Sequence, residues 1–287
     1  MHDRPTPIMT KSPRRFSFAS VGGFVLSVIC ILGGLILEKG DLHDVGQVTA
    51  ALIVFGGTAG ALLVSTPTRM LSSALRRAQA LFWEDKENAS SILEELIGYA
   101  TKARHSGIVS LDSDVQDIRN LFLKKGMMLL IDGVDAGELR RLLELDQIIF
   151  ETQAESDAKV FETAGGYAPT IGIIGAVLGL IQVMKHLESL QDVGSGIAVA
   201  FVATVYGVGF ANLVLLPISN RIRTRAHQDL HIRELIIEGV ISVQAGKNPR
   251  LTRRMLDAFA APRSSSAETQ SATDRRETDI RDVMEIG

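Results

Sequence analysis

A chain of 287 residues with 30 Lys and Arg against 33 Asp and Glu carries a formal charge of −3, which excludes the basic field of a nucleic-acid-binding protein. The apolar fraction, 46%, is ordinary, but it is gathered into four stretches that hold no charge. The single cysteine, Cys30, lies inside the first stretch, so an intrachain disulfide is excluded and the redox compartment stays unread.

A bilayer core about 30 Å thick needs about 20 apolar residues in a helix. The first uncharged run is Phe18–Leu37 and the second Val48–Ser65, with Glu38, Lys39, Asp41 and Asp44 between them. After a long polar segment come Ala168–Met184, which Gly165, Gly166 and Tyr167 extend, and Ile197–Ser219. This pattern predicts an all-α membrane protein with four transmembrane helices, over 18–37, 48–65, 165–184 and 197–219. The spans form two hairpins, 18–65 and 164–219, on either side of a helical cytoplasmic domain at 66–163.

Lys and Arg in the flanks set the orientation. Arg4, Lys11, Arg14 and Arg15 precede the first span, Arg69, Arg76 and Arg77 follow the second, and Arg221, Arg223 and Arg225 follow the fourth. The short connections carry one lysine each, Lys39 and Lys185. Both termini, including the segment 1–17, and the long middle segment are therefore expected in the cytoplasm. Arg14-Arg15-Phe16 also fits a cleaved twin-arginine signal, but no A-x-A-like site lies near Ile31–Lys39 and a second span follows at once.

In the middle segment, Ile92, Leu93, Leu96, Ile97, Ala100 and Ala103 recur three and four apart, which predicts a helix over Asn88–Arg104 with Gly107 as its stop. Val115, Ile118, Leu121 and Phe122 predict a second over Val115–Lys125. Asp135 with Glu138 three residues on is a capping-box-like start for a helix that runs from Ala136 into the third span. Its carboxylates Glu144, Glu151, Glu155 and Asp157 are expected on a solvated face. Beyond the fourth span, Ile222, Leu230, Leu235, Ile236 and Val240 predict a helix over Asn220–Gln244, within a cytoplasmic C-terminal helical segment 220–261. The remainder, 262–287, is rich in Ser, Thr, Arg and acids and is expected to be disordered.

None of the four spans contains Asp, Glu, Lys, Arg or His. An ion relay needs an ionisable group within the membrane. Unless Glu38 or Glu162 reaches inward from a span edge, a partner must bring it. The polar residues present are Thr58, Thr170, Gln182, Thr204, Tyr206 and Asn212, whose roles divide between interhelical hydrogen bonding and ion passage. Gly56 and Gly60, Gly172, Gly175 and Gly179, and Gly207 and Gly209 offer close-packing faces, expected to serve an oligomer. Pro169 and Pro217 read either as boundary punctuation or as hinges. There is no P-loop, HExxH or nucleophile elbow, and His227 and His231, four apart among charged neighbours, fit a solvated face better than a metal pair. The expectation is a protein that is not an enzyme and takes no cofactor or metal.

Two stretches carry a resemblance. Ala168-Pro169-Thr170-Ile171-Gly172 through Gly175-Ala176 and Gly179-Leu180-Ile181 is similar to the third span of the MotA/PomA family of flagellar motor stator subunits, within the MotA/TolQ/ExbB superfamily. Ala200 to Val208, then Ala211-Asn212 and Leu216-Pro217, is similar to that family's fourth span, and Ile131-Asp132-Gly133-Val134-Asp135 to the start of its long cytoplasmic helix. The resemblance covers about residues 18–244. It implies an inner-membrane subunit, present in several copies and expected as a pentamer, around a MotB-like partner. That partner has one span, a peptidoglycan-binding domain and the ion-binding aspartate. It also implies channel or coupling roles for Pro169, Ala176, Ala203, Thr204, Tyr206 and Pro217, and helix packing by Gly172, Gly175, Gly179 and Gly207. Arg104 and Asp112 take the places of an arginine and a glutamate that contact the rotor protein FliG. On the residues alone Arg104 favours a helix dipole and Asp112 a cap. Sodium-using relatives keep threonines where this chain has Ala176 and Ala203, so protons rather than sodium are the expected ion. Competing readings are an ExbB/TolQ-like energiser of envelope transport, usually with three spans, and a membrane scaffold without ion flux.

Overall fold

A computed structural model of the chain describes residues 15–16, 18–37, 45–81, 83–84, 89–185 and 187–260. The expected disordered tail and most of the N-terminal segment lie outside these residues, as does Glu38. The described residues fall into two compact units, one from Met1–Glu87 with Leu145–Leu230, the other from Asn88–Glu144 with His231–Gly287.

The first unit begins with helix α1 (Phe18–Leu37) and helix α2 (Val48–Ser65), whose segment Leu52–Gly56 widens into a π-turn. Helix α3 (Thr68–Ala80) follows after only Thr66 and Pro67. A two-residue antiparallel pair, β1 (Arg15–Phe16) with β2 (Trp83–Glu84), is a small departure from the all-helical expectation. Among the described residues, three helical stretches are long and apolar enough to cross a membrane: Val48–Ser65, Ala136–Lys185 and Val193–Gln244. A shorter apolar stretch, Val25–Gly34, lies within α1.

The second unit is built around an apolar core. Helix α4 (Ala89–Ser106) turns Ile92, Leu93, Leu96 and Ala100 inward and ends at Gly107, whose φ of 81° lies in the left-handed region that glycine adopts without strain. A 3₁₀ turn (Ile108–Leu111) leads into the single-turn helix α5 (Asp112–Val115). The periodicity predicted one helix over Val115–Lys125, but the chain breaks after α5 and restarts as α6 (Leu121–Ile131). Asn120 causes the restart: its side chain accepts a hydrogen bond from the Leu123 amide at 2.8 Å, satisfying a donor that no helical carbonyl can reach.

Helix α7 (Ala136–Lys185) starts where Asp135 accepts from the Gly137 amide at 2.9 Å. Helix α8 (Leu190–Phe210), a π-turn (Ala211–Leu215) and α9 (Leu216–Gln244) follow without a break. Helix α9 ends at Gln244, as its apolar pattern predicted, with Gly246 at φ 59° just beyond; the rest of the segment to 261 is not a continuation, because Asn248 and Pro249 open a separate helix, α10 (Pro249–Ala260). Leu96, Leu111, Leu123, Met127, Leu139 and Leu235 fill the core of this unit, which α10 closes with the fully buried Leu256.

Candidate functional site

The site in the membrane unit is built on glycine. Along the antiparallel contact of α7 with α8, a Cβ on Gly172 would lie 2.9 Å from the Ala203 carbonyl oxygen, and one on Gly207 2.6 Å from that of Ala168. A Cβ on Gly179 would meet the Gly196 carbonyl at 2.8 Å, and one on Gly175 the Ala203 methyl at 2.8 Å. Backbones approach this closely only where side chains are missing. The small residues expected to serve an oligomer are therefore used within the chain. Gly56, Gly60 and Gly209, grouped with them by spacing, face open space; in α2 it is Gly57 that meets α7, at Ile171.

The residues expected to line a channel separate into two sets. Ala203 is fully buried, packed with Ala50, Val54 and Val202 in the seam between α2 and α8. Thr204 is half-buried and donates to the Ala200 carbonyl at 3.2 Å, and Ala176 is half-buried. Tyr206 donates to the Val45 carbonyl and stacks on Phe55 with 5.8 Å between ring centres, while Phe55 meets Phe210 edge-on at 4.9 Å. An open face of α7 carries Thr170, Ile173, Ile174, Val177 and Ile181. An open face of α8 and the π-turn carries Phe201, Val205, Val208 and Asn212.

Neither proline is punctuation. Pro169 stands inside the continuous α7, and Pro217 stands at the second residue of α9, directly after the π-turn. A mid-helix proline removes one hydrogen bond and crowds the preceding turn, and a π-turn is a local widening that relieves this.

Just outside the apolar runs lies a charged layer whose carboxylates Glu155 and Asp157 were expected on a solvated face. Asp157 is 2% exposed and binds Arg77 Nε at 2.7 Å and the Ser73 hydroxyl at 3.2 Å. Arg77 also covers the Phe150 ring at 5.3 Å. Arg223 binds Glu155 at 2.7 Å and also Glu162, and its hydrogen bond holds the Glu155 carboxyl below the usual range. Glu162 is thus engaged with Arg223 rather than turned into a span. Asp157 was recognisable in principle, since Ala154, Asp157, Ala158 and Phe161 share one helical stripe on which a carboxylate stands out.

In the second unit, Arg104 lies in the last turn of α4 and Asp112 opens α5; both are exposed. Among the described residues neither makes a hydrogen bond or ion pair, and the α5 N-terminus has no side-chain cap, so Asp112 is free of the capping role. Lys102 binds Asp114 at 2.7 Å across the same turn, and Leu111 and Val115 anchor it from beneath. That brace, which the sequence reading did not single out, fixes the display of Arg104 and Asp112. Among the described residues no cluster of His, Cys, Asp and Glu could hold a metal ion.

These features define a class: a helical membrane protein whose spans pack by a glycine seam and carry no ionisable group, joined to a compact helical unit displaying a free basic and a free acidic residue. Residues 114–235 match the MotA/TolQ/ExbB proton channel family, and residues 21–106 match the motility protein A N-terminal family. The chain is 32% identical over 250 residues to the uncharacterized protein YtxD of Bacillus subtilis (strain 168), covering 86% of this chain and 92% of that one. To Motility protein A of the same organism it is 31% identical over 241 residues, covering 83% and 88%. The solved C. jejuni MotAB superimposes with a TM-score of 0.82 at 29% identity, covering 87% of this chain and 98% of that one. The chain belongs to the MotA/TolQ/ExbB proton channel family.

Proposed function

We propose that this chain is the stator subunit of a bacterial flagellar motor, an ion-channel subunit that works with a MotB-like single-span partner to turn ion flow into torque on the rotor. The carrying observation is the near-complete match to a MotAB structure, with TM-score 0.82 over 98% of that chain. The ion-free spans supply a reason for the partner: the carboxylate that a relay needs must come from elsewhere. The exposed faces of α7 and α8, with Thr170 and Asn212 among their apolar residues, are the surfaces on which the partner helix would lie.

In this reading α1 is the fourth span, both termini face the cytoplasm of the inner membrane, several copies, expected as five, surround the partner, and no enzymatic step is involved. Pro169, Pro217 and Tyr206 couple the spans to the cytoplasmic helices. Arg104 and Asp112 push the rotor protein FliG by charge contact. Cells lacking the chain should carry normal filaments but not swim. Normal swimming together with an envelope-transport defect would favour the ExbB/TolQ-like alternative.

Reversing either exposed charge, Arg104→Glu or Asp112→Lys, should cut swimming speed by half or more while leaving the melting temperature of the purified chain unchanged, because neither side chain holds the fold together. Unaltered swimming in the double reversal would remove the rotor-contact assignment. The ion is argued from Ala176, Ala203 and Thr204. Thr204 already donates its proton to the helix, and a lone hydroxyl is a poor cage for sodium. Thr204→Ala should leave motility independent of external sodium; speed that tracks sodium in the wild type would overturn the proton assignment.

A further inference from the structure

Four of the arginines in the two units have carboxylate partners on another helix: Arg77 with Asp157, Arg223 with Glu155 and Glu162, Arg140 with Glu238, and Arg253 with Glu94. Arg69 and Arg76 differ. Both lie on α3, both are exposed, and among the described residues neither guanidinium has a hydrogen bond or ion pair. They stand seven residues apart, two helical turns, which puts them on one side of α3 about 10 Å apart. Ser72, Leu75 and Gln79 are exposed beside them, whereas Ala74 and Ala78 face the protein.

The position of α3 gives this face its surroundings. Its first residue stands three positions past Ser65, the last residue of α2. Its far end is tied down as well: Leu81 packs with Ala158 and Ile222, and Arg221 donates to the Leu81 carbonyl at 3.4 Å. Arg221 and Ile222 come two and three residues after Ser219, where the fourth apolar run ends. Both ends of α3 are thus held at the ends of apolar spans.

We propose that α3 is an interfacial helix whose Arg69 and Arg76 bind the phosphates of anionic lipid headgroups, with Leu75 set against the acyl boundary. Guanidinium groups recognise phosphate oxygens in a fork geometry, and basic residues at an anionic leaflet add attraction residue by residue. A flanking charge that served only to set topology would have no need to share a face with its neighbour. The proposal rests on the assignment of α2 and α8 as membrane spans and not on the torque reading.

The test uses the full chain in nanodiscs of equal parts phosphatidylglycerol and phosphatidylcholine, re-extracted in mild detergent, with the retained lipid counted by native mass spectrometry. The wild type should retain phosphatidylglycerol preferentially. Arg69→Gln with Arg76→Gln should lower that preference roughly tenfold, following the per-residue attraction of a basic group to an anionic surface. Arg69→Lys with Arg76→Lys should restore most of it, which separates binding from folding. Arg250→Gln with Arg254→Gln, an equal charge loss on exposed residues of α10, should leave it intact. Equal retention of the two lipids by the wild type would overturn the proposal. So would an equal loss in the α10 variant, or displacement of the lipid by millimolar inorganic phosphate. A chain that drove no motor would still give the expected result, so this failure and that of the functional reading are distinguishable.

Discussion

Replacing Gly207 by valine should prevent the membrane unit from folding, while Gly209→Ala, two residues away in the same helix, should leave it as stable as the wild type. The difference lies in what each new side chain would meet. At Gly207 even a methyl would sit 2.6 Å from the Ala168 carbonyl oxygen and 3.1 Å from the Gly172 Cα, and both are backbone atoms that cannot rotate aside. At Gly209 nothing lies within 4 Å. Overpacking a close contact costs about 1–3 kcal/mol where side chains can repack. Here whole helices must separate, which also opens the contacts at Gly172, Gly175 and Gly179, so about 3 kcal/mol or more is expected at Gly207. Melting temperature in detergent and recovery on gel filtration check it. A Gly207→Val chain that melts like the wild type would show that the seam does not hold the unit together, and the glycines would then have to be explained by an oligomer after all.

That contrast shows where the sequence was readable. A run of glycines four apart states that some backbone comes close; it does not state which. Gly56 and Gly57 are neighbours in sequence, yet only Gly57 meets a partner, because a one-residue step rotates a helical position by about 100°. The three apolar stretches in α2, in α7 and in α8 with α9, the α4 pattern, the stop at Gly107 and the start at Asp135 were legible because each is a local signal with a local cause. The break at Asn120 was less so: Val115, Ile118, Leu121 and Phe122 keep helical spacing across it, yet only Val115, Ile118 and Phe122 are buried in the core, a pattern that two short helices satisfy as well as one, while Leu121 is 81% exposed.

Function was legible to a different degree. Arg104 and Asp112 were singled out through a resemblance; the structure shows both exposed, and their contact with a rotor is the proposal made above. Their supports were not found, since the Lys102–Asp114 bridge joins residues whose proximity depends on a left-handed turn between them. Asp157 was misplaced for a related reason. Surrounded in sequence by Glu151, Glu155 and Lys159, it looks like one more solvated charge; its burial depends on Arg77, 80 residues away.

Arg77→Ala should be the most damaging single charge removal in the membrane unit. It would leave the Asp157 side chain, 3% exposed, with only the Ser73 hydroxyl to stabilise its charge. Removing one partner of a buried pair costs about 3–5 kcal/mol. Arg77 itself is 26% exposed, so water reaches part of the gap, and about 3 kcal/mol is the appropriate end of that range. The neighbouring Arg223 pair provides the comparison. Glu155 and Glu162 are 54% and 46% exposed, and breaking such a surface contact costs about 1 kcal/mol or less. Arg77→Met with Asp157→Leu, which removes both charges while keeping apolar bulk, should therefore be more stable than Arg77→Ala alone, with a coupling of about 1–3 kcal/mol in a double-mutant cycle read by thermal melting. Additive losses would mean that Asp157 is held by its hydroxyl partner and that Arg77 acts chiefly by covering Phe150. The cycle thus decides whether α3 is fastened to α7 through a charge or through a ring, and so whether a bound anion near α3 could loosen the fastening.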